Sequence, residues 1–295
     1  MQTIDPEKIT TDSLSLPAYL EKDVHVDVLR IDKILPVVSG NKWFKLRFYL
    51  EEARQQHKKT IVTFGGAWSN HILATAAACR LNNLNCIGII RGEEPATLSA
   101  TLQEALQLGM QLVFISREAY KSKQLPASLM NKDDCYIINE GGYGIAGAKG
   151  ATTILEYHHK DNYTHICCAA GTGTMTAGLL MYSCPADIIS VSVLKNNFGL
   201  EKDIRQLTNE CKTPFIIHDY HFGGYAKYTS ALFSFMNEFY KQTAIPSDFV
   251  YTGKLFFAVH DLINNHYFKQ GSKLLVIHSG GLQGNRSLSK GTLIF

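Results

Sequence analysis

The feature that most constrains this chain is a series of short apolar runs separated by segments of helical character. After VHVDVLRID from Val24, the runs are TIVTF at Thr60, NCIGII at Asn85, QLVFIS at Gln111, CYIIN at Cys135, HICCAAG at His165, IISVSVL at Ile188 and KLLVIHSGG at Lys273. Most do not alternate apolar with polar residues, which is the pattern of strands buried on both faces. Between them, residues 69–82, 97–108, 146–159, 174–182 and 232–241 carry helical spacing. Repeated strand–helix units predict an α/β fold with mostly parallel sheets flanked by helices, and ligands gathered at the carboxyl ends of the strands. At 295 residues the chain suffices for one large or two moderate domains. No repeat, low-complexity tract or linker marks a boundary. The glycine-dense GGYGIAGAKG, residues 141–150, is the expected crossing point between two domains.

Composition excludes several classes. A net charge of +3, with lysines alternating with Asp and Glu, argues against a nucleic-acid surface. No run is long enough to span a bilayer, and the polar start MQTIDPEKITTDSL lacks a signal-peptide pattern, so neither membrane insertion nor secretion is expected. The seven cysteines are scattered, odd in number and mostly within apolar runs, which predicts reduced thiols in a cytoplasm. No CxxC or HExxH spacing points to a metal. His158 and His159 are adjacent, hence on different faces of a helix, and are expected at the surface.

Four stretches carry the chemistry. In VSGNKWFKLRFYL, the turn Ser39-Gly40-Asn41 precedes Trp43, Leu46, Leu50 and Ala53 at helical spacing, so Lys42 and Lys45 share a face in a helix's first turn. Cations are disfavoured there, and a lysine so placed reaches its neutral, nucleophilic form more easily. In TFGGAWSNHILATAAACR, Ser69 caps a helix after a glycine turn. That N-terminus, with the Ser69 hydroxyl and the Asn70 amide, suits a carboxylate, although an ordinary capped helix reads the same way. In HICCAAGTGTMTAGLL, a strand meets Gly171, Thr172, Gly173 and Thr174 and then a small-residue helix. This arrangement suits a phosphate, or else a tight strand–helix turn, and it has neither P-loop nor dinucleotide spacing. In LLVIHSGGLQGN, Ser279 ends a strand, where a hydroxyl can meet a ring nitrogen without imposing charge; a plain glycine turn is the alternative.

Together these supply an amine nucleophile, a carboxylate pocket, a phosphate cradle and a neutral hydroxyl, the inventory that pyridoxal 5′-phosphate chemistry on an amino acid requires. Lys42 would bind the cofactor aldehyde and shuttle a proton, while Lys45 would lend positive charge near the phosphate.

The chain resembles the 1-aminocyclopropane-1-carboxylate deaminase and D-cysteine desulfhydrase family of fold type II pyridoxal-phosphate enzymes. The matching segments are SGNKWFKL, GGAWSNHI, EGGYGIAGAKG, AGTGTMTAG, FGGYAKYT, VYTGK and HSGG, in that order along most of the chain. The resemblance implies a two-domain, tryptophan synthase β-like fold, with residues 1–45 and 146–295 as the cofactor-binding domain and 46–145 as a small inserted α/β domain, and a homodimer. It implies Asn70 as partner of the cofactor's phenolic oxygen, Ser69, Asn70 and His71 beside Trp68 as the substrate pocket, and Tyr225 and Tyr251 facing the reacting centre. In this family the deaminases are similar in carrying Glu after the tyrosine of VYTGK and Leu at the HSGG serine, whereas the desulfhydrases have hydroxyls at both. Here these positions are Thr252 and Ser279. The implied activity is β-elimination from a small, D-configured amino acid, giving sulfide, ammonia and pyruvate. Deaminase activity, a non-catalytic cofactor-binding relative and a nucleotide-binding α/β protein are the alternatives. Trp68 stands where the family often has Gln, and Phe44 replaces an Arg. The indole either narrows the substrate space, stacks on the cofactor or packs at the helix start.

Overall fold

A computed structural model describes residues 5–35, 37–126, 129, 133–157 and 163–295. In chain order the regular elements are β1 (Thr10–Leu14), α1 (Pro17–Glu21), β2 (Val24–Arg30), α2 (Asn41–Gln55), β3 (Thr60–Gly65), α3 (Asn70–Leu81) and β4 (Asn85–Arg91). Then come α4 (Ala100–Gln107), β5 (Met110–Ile115), α5 (Arg117–Lys121), β6 (Cys135–Ile138), α6 (Ile145–Thr152), β7 (His165–Ala170), α7 (Thr174–Met181) and β8 (Asp187–Ser192). The chain ends with α8 (Leu200–Leu207), β9 (Phe215–Ile217), α9 (Ser230–Thr243), α10 (Thr252–Asn264) and β10 (Ser272–Ile277). All eight expected strands form. The helix expected over 146–159 stops at Thr152 and continues as a 3-10 turn to Tyr157, while His158 and His159 lie outside the described residues. Not anticipated were the edge strands β1 and β9 and the helices α1, α5, α8 and α10. Among the described residues, no helix is long and apolar enough to cross a membrane.

The strands make two sheets: β1-β2-β10-β7-β8-β9, parallel except for β1, and β5-β4-β3-β6, wholly parallel. Successive strand residues point to opposite faces, and both faces of the larger sheet are covered. Cys168, Leu275 and Ile277 enter one apolar cluster, and their neighbours Cys167, Leu274 and Val276 enter another, with Phe239 of α9 and Leu255, Phe256 and Val259 of α10. This is why the runs read as continuously apolar. The chain leaves the smaller sheet at Ile138 and enters the larger at His165, and the glycine run lies on that path.

Helix α2 belongs to both halves. Its Trp43, Phe44, Leu46, Leu50 and Ala53 share one cluster with Leu29 and Leu275 of the larger sheet and with Ile61 and Ile72 of the β3–α3 unit. The expected division between residues 45 and 46 therefore cuts through a continuous helix. The helix's approach is fixed by Gly40, which has φ 59° and ψ −144° and carries the Asn41 amide to the Ser279 carbonyl at 3.2 Å. A Cβ on residue 40 would collide with that carbonyl. Gly40→Ala should lower stability by roughly 2–5 kcal/mol, combining backbone strain with overpacking, as measured by urea unfolding. A loss near zero would show that the close approach is dispensable.

Candidate active site

Three carboxyl-end loops converge on one cavity. Lys42, Lys45, Asn70, Gly171, Thr172, Gly173, Thr174, Tyr251 and Ser279 all line it. Trp68, Ser69, His71, Tyr225 and Thr252 do not.

The Lys42 Nζ donates to Asn41 Oδ1 at 3.1 Å, and Lys45 Nζ reaches the Gly141 carbonyl at 3.5 Å. Burial pulls the Lys42 ammonium down to about 8, with the charge of Asp248 opposing. Lys45 is held well below the usual lysine range, first by burial and then by the charge of Lys42. Its place in the first turn of α2 predicts an easily neutralised Lys42 through the helix N-terminus. Desolvation is the larger cause here.

The turn between β7 and α7 has the features of an anion cradle. Gly173 adopts φ 75°, ψ −8° as the N-cap of α7 and has no side chain to cap the helix, and among the described residues no side chain accepts from its first amides. The hydroxyls of Thr172 and Thr174 lie 3.0 Å apart beside them. On the facing wall, Asn70 Nδ2 donates to the Gly281 carbonyl at 3.2 Å, while its Oδ1 is buried without a hydrogen-bond partner. A lysine amine, a helix N-terminus without a cap and a spare amide oxygen around one cavity suit an aldehyde cofactor bearing phosphate and ring hydroxyl groups.

The other expected residues are placed differently. The Ser69 hydroxyl caps α3 by accepting from the Ile72 amide at 3.3 Å, which leaves its own proton free to donate. His71 is buried, with Nε2 2.9 Å from Thr63 Oγ1; that hydroxyl gives its proton to the Ile138 carbonyl at 2.8 Å. His71 therefore donates through Nε2, and its Nδ1 is a buried acceptor without a partner. Burial and then the charges of Lys42 and Lys45 hold it neutral. Trp68 is 39% exposed and stands outside the cavity. The ring of Tyr225 packs edgewise on Tyr251 with centroids 6.3 Å apart. Burial and then its Tyr225 neighbour keep Tyr251 well above the ordinary phenol range, so it is a neutral donor at any working pH.

Thr252, expected beside a ring nitrogen, is fully buried, and its hydroxyl donates to Asp248 Oδ1 at 2.8 Å. Asp248, to which the sequence reading gave no role, also accepts from the amides of Val250, Tyr251 and Thr252, each at 2.9 Å. It thus caps α10 and fixes the backbone of Tyr251. Its position four residues before Thr252, at the start of an unanticipated helix, was the available signal. Lys254 of VYTGK was likewise given no role. Its Nζ donates to the carbonyls of His221 and Gly224 at 2.8 and 2.7 Å, tethering the loop that carries Tyr225.

Three outcomes follow from this geometry. Competitive acylation of Lys42, read by mass spectrometry, should titrate near pH 8 and shift lower in Asp248→Asn, because the carboxylate favours the ammonium. Since the folded-state value lies below that of the unfolded chain, the stability penalty of Lys42 is full below about pH 8 and fades as pH rises towards the unfolded value of 10.5. Thr252→Val should destabilise by about 1–3 kcal/mol in chemical denaturation, since a buried carboxylate loses a donor.

Comparison with known proteins points to the same cofactor. A mitochondrial bifunctional D-cysteine desulfhydrase/1-aminocyclopropane-1-carboxylate deaminase of Arabidopsis thaliana is 32% identical over 84% of this chain and 70% of its own length. A D-cysteine desulfhydrase of Serratia proteamaculans is 24% identical over 90% of this chain and 88% of its own. The crystal structure of an ACC deaminase homologue superposes with a TM-score of 0.83 at 25% identity, covering 94% of this chain and 90% of that one. Enzymes of fold type II, such as a tomato threonine deaminase with a TM-score of 0.63, share the architecture at lower identity. The profile described as pyridoxal-phosphate dependent enzyme matches residues 23–188, and on this evidence the chain belongs to that family.

Proposed function

We propose that the protein is a lyase that removes the α-proton of a small, D-configured amino acid and expels its β-substituent, releasing sulfide, ammonia and pyruvate from D-cysteine. The observation that carries this reading is the hydroxyl of Ser279 in a cavity that no Asp or Glu lines among the described residues. The buried carboxylate of Asp248 is taken up by three amides and the Thr252 hydroxyl. A wall without a carboxylate gives a milder electron sink than a carboxylate beside the ring would, and β-elimination with a thiol leaving group needs no more. The names of the Arabidopsis and Serratia relatives support the same choice.

In this reading Lys42 would hold the cofactor, residues 171–174 its phosphate and Asn70 its ring oxygen. When bound, the cofactor supplies a sink for the electron pair left at the substrate Cα. The remaining work falls to the chain. Ser69, its hydroxyl proton free, and the first amides of α3 bind the substrate carboxylate. The Lys42 amine, neutral above about pH 8, takes the proton from Cα. Tyr251, held by Asp248 and backed by Tyr225, donates from a fixed position. The division into a cofactor-binding unit and a small inserted unit, a homodimeric assembly and a cytoplasmic setting belong to the same proposal.

Purified protein should show a visible cofactor absorbance that Lys42→Ala abolishes, and keto-acid release with sulfide from D-cysteine. Keto-acid release from 1-aminocyclopropane-1-carboxylate instead would favour the deaminase reading, in keeping with the Arabidopsis relative's second named activity. Cofactor binding with no turnover of either would overturn both. Ser279→Leu probes the hydroxyl argument directly. Thr252→Glu does not, because it would press a second carboxylate against buried Asp248.

A further inference from the structure

The carboxyl edge of the smaller sheet carries a second concentration of functional groups. Besides the loop after β3 that leads to Ser69, this edge holds a notch lined by Arg91 at the end of β4, Arg117 and Lys121 of α5, Lys123, Tyr120 and Glu140 after β6. None of these residues lines the cavity described above. The notch holds four cations against one carboxylate, a surplus of three that equals the net charge of the whole chain. Lys123 is paired with Glu140 at 2.8 Å, and its Nζ lies 4.2 Å from the centroid of the Tyr120 ring. The Arg91 guanidinium carbon lies 5.8 Å from the same ring. Arg91, Arg117 and Lys121 form no ion pair among the described residues.

The notch adjoins the proposed substrate pocket. A Cβ on Gly66, three residues before Ser69, would lie 3.5 Å from an Arg91 Nη atom, so the guanidinium rests against the turn that presents Ser69. Tyr225, across the cleft, is near enough to feel both Arg91 and Glu140. Like-charged side chains gathered on one edge repel one another, and a planar guanidinium pairs best with carboxylate, sulfonate or phosphate oxygens. A bound anion relieves the first and satisfies the second.

We propose that this notch is an anion subsite for the β-substituent of the substrate: Arg91, Arg117 and Lys121 bind a phosphate-like group while Ser69 receives the α-carboxylate. The inference rests on the lyase reading and narrows its substrate class to amino acids with an anionic leaving group. For O-phosphoserine, the Cα–H and Cβ–O bonds break and the electron pair leaves with phosphate. One water then returns pyruvate and ammonia, with no net oxidation.

The test uses cofactor-loaded enzyme and the double variant Arg117→Gln, Lys121→Gln, which leaves Arg91 and the turn it rests against intact. The variant should lower kcat/KM for O-phosphoserine, assayed as both enantiomers, by roughly 10- to 100-fold, the worth of lost charge-assisted hydrogen bonds, and leave that for D-cysteine unchanged. An equal loss on both substrates, or no loss on either, overturns the subsite. Should the protein turn over no amino acid at all, the lyase reading fails, and calorimetric binding of O-phosphoserine decides the notch separately. Affinity at least about tenfold weaker in the variant supports the subsite, and equal affinity overturns it.

Discussion

The site depends on one crowded contact, the approach of the Gly40 backbone to the Ser279 carbonyl. Through it, the loop leaving β2 meets the loop leaving β10, so that α2 starts at the carboxyl edge of the larger sheet with Lys42 in its first turn. The other end of α2 is buried with Ile61 and Ile72 of the smaller half, so the helix is clamped by apolar packing on both sides. A lysine amine on a helix held at both ends has little freedom to relax its desolvation. That is the condition for keeping an ammonium so near neutrality.

Around that amine the charges are organised in layers. Among the described residues the cavity wall is neutral or cationic, and the buried carboxylate of Asp248 is saturated by donors. Such saturation is what allows an ionised Asp to persist without water. Burial nevertheless pushes the Asp248 carboxyl up, with the Thr252 and Tyr251 donors working against the shift. Lys254 shows a similar economy: buried on α10, it finds two carbonyls of the loop before Tyr225, so a single helix positions both tyrosines. His278 serves the third loop, its Nε2 on the Pro246 carbonyl at 2.6 Å and its Nδ1 accepting from the Gly280 amide at 3.3 Å.

The sequence by itself determined the alternation of strand and helix, because a strand buried on both faces must be apolar throughout, and it located the glycine turns, because only particular residues suit them. It also named Lys42, Lys45, Asn70 and residues 171–174, since an amine, an amide and a glycine–threonine turn have chemistry legible from residue type. Only the tertiary structure decided which hydroxyl residue lines the cavity. Thr252 and Ser279 are equivalent as residue types, yet one is consumed by Asp248 and the other lines the cavity. Asp248, Lys254 and the cationic notch were hidden for the same reason. Their meaning lies in partners 4 to 49 positions away along the chain, from Thr252 beside Asp248 to Glu140 across from Arg91, and a charge acquires a role from what surrounds it once water is excluded.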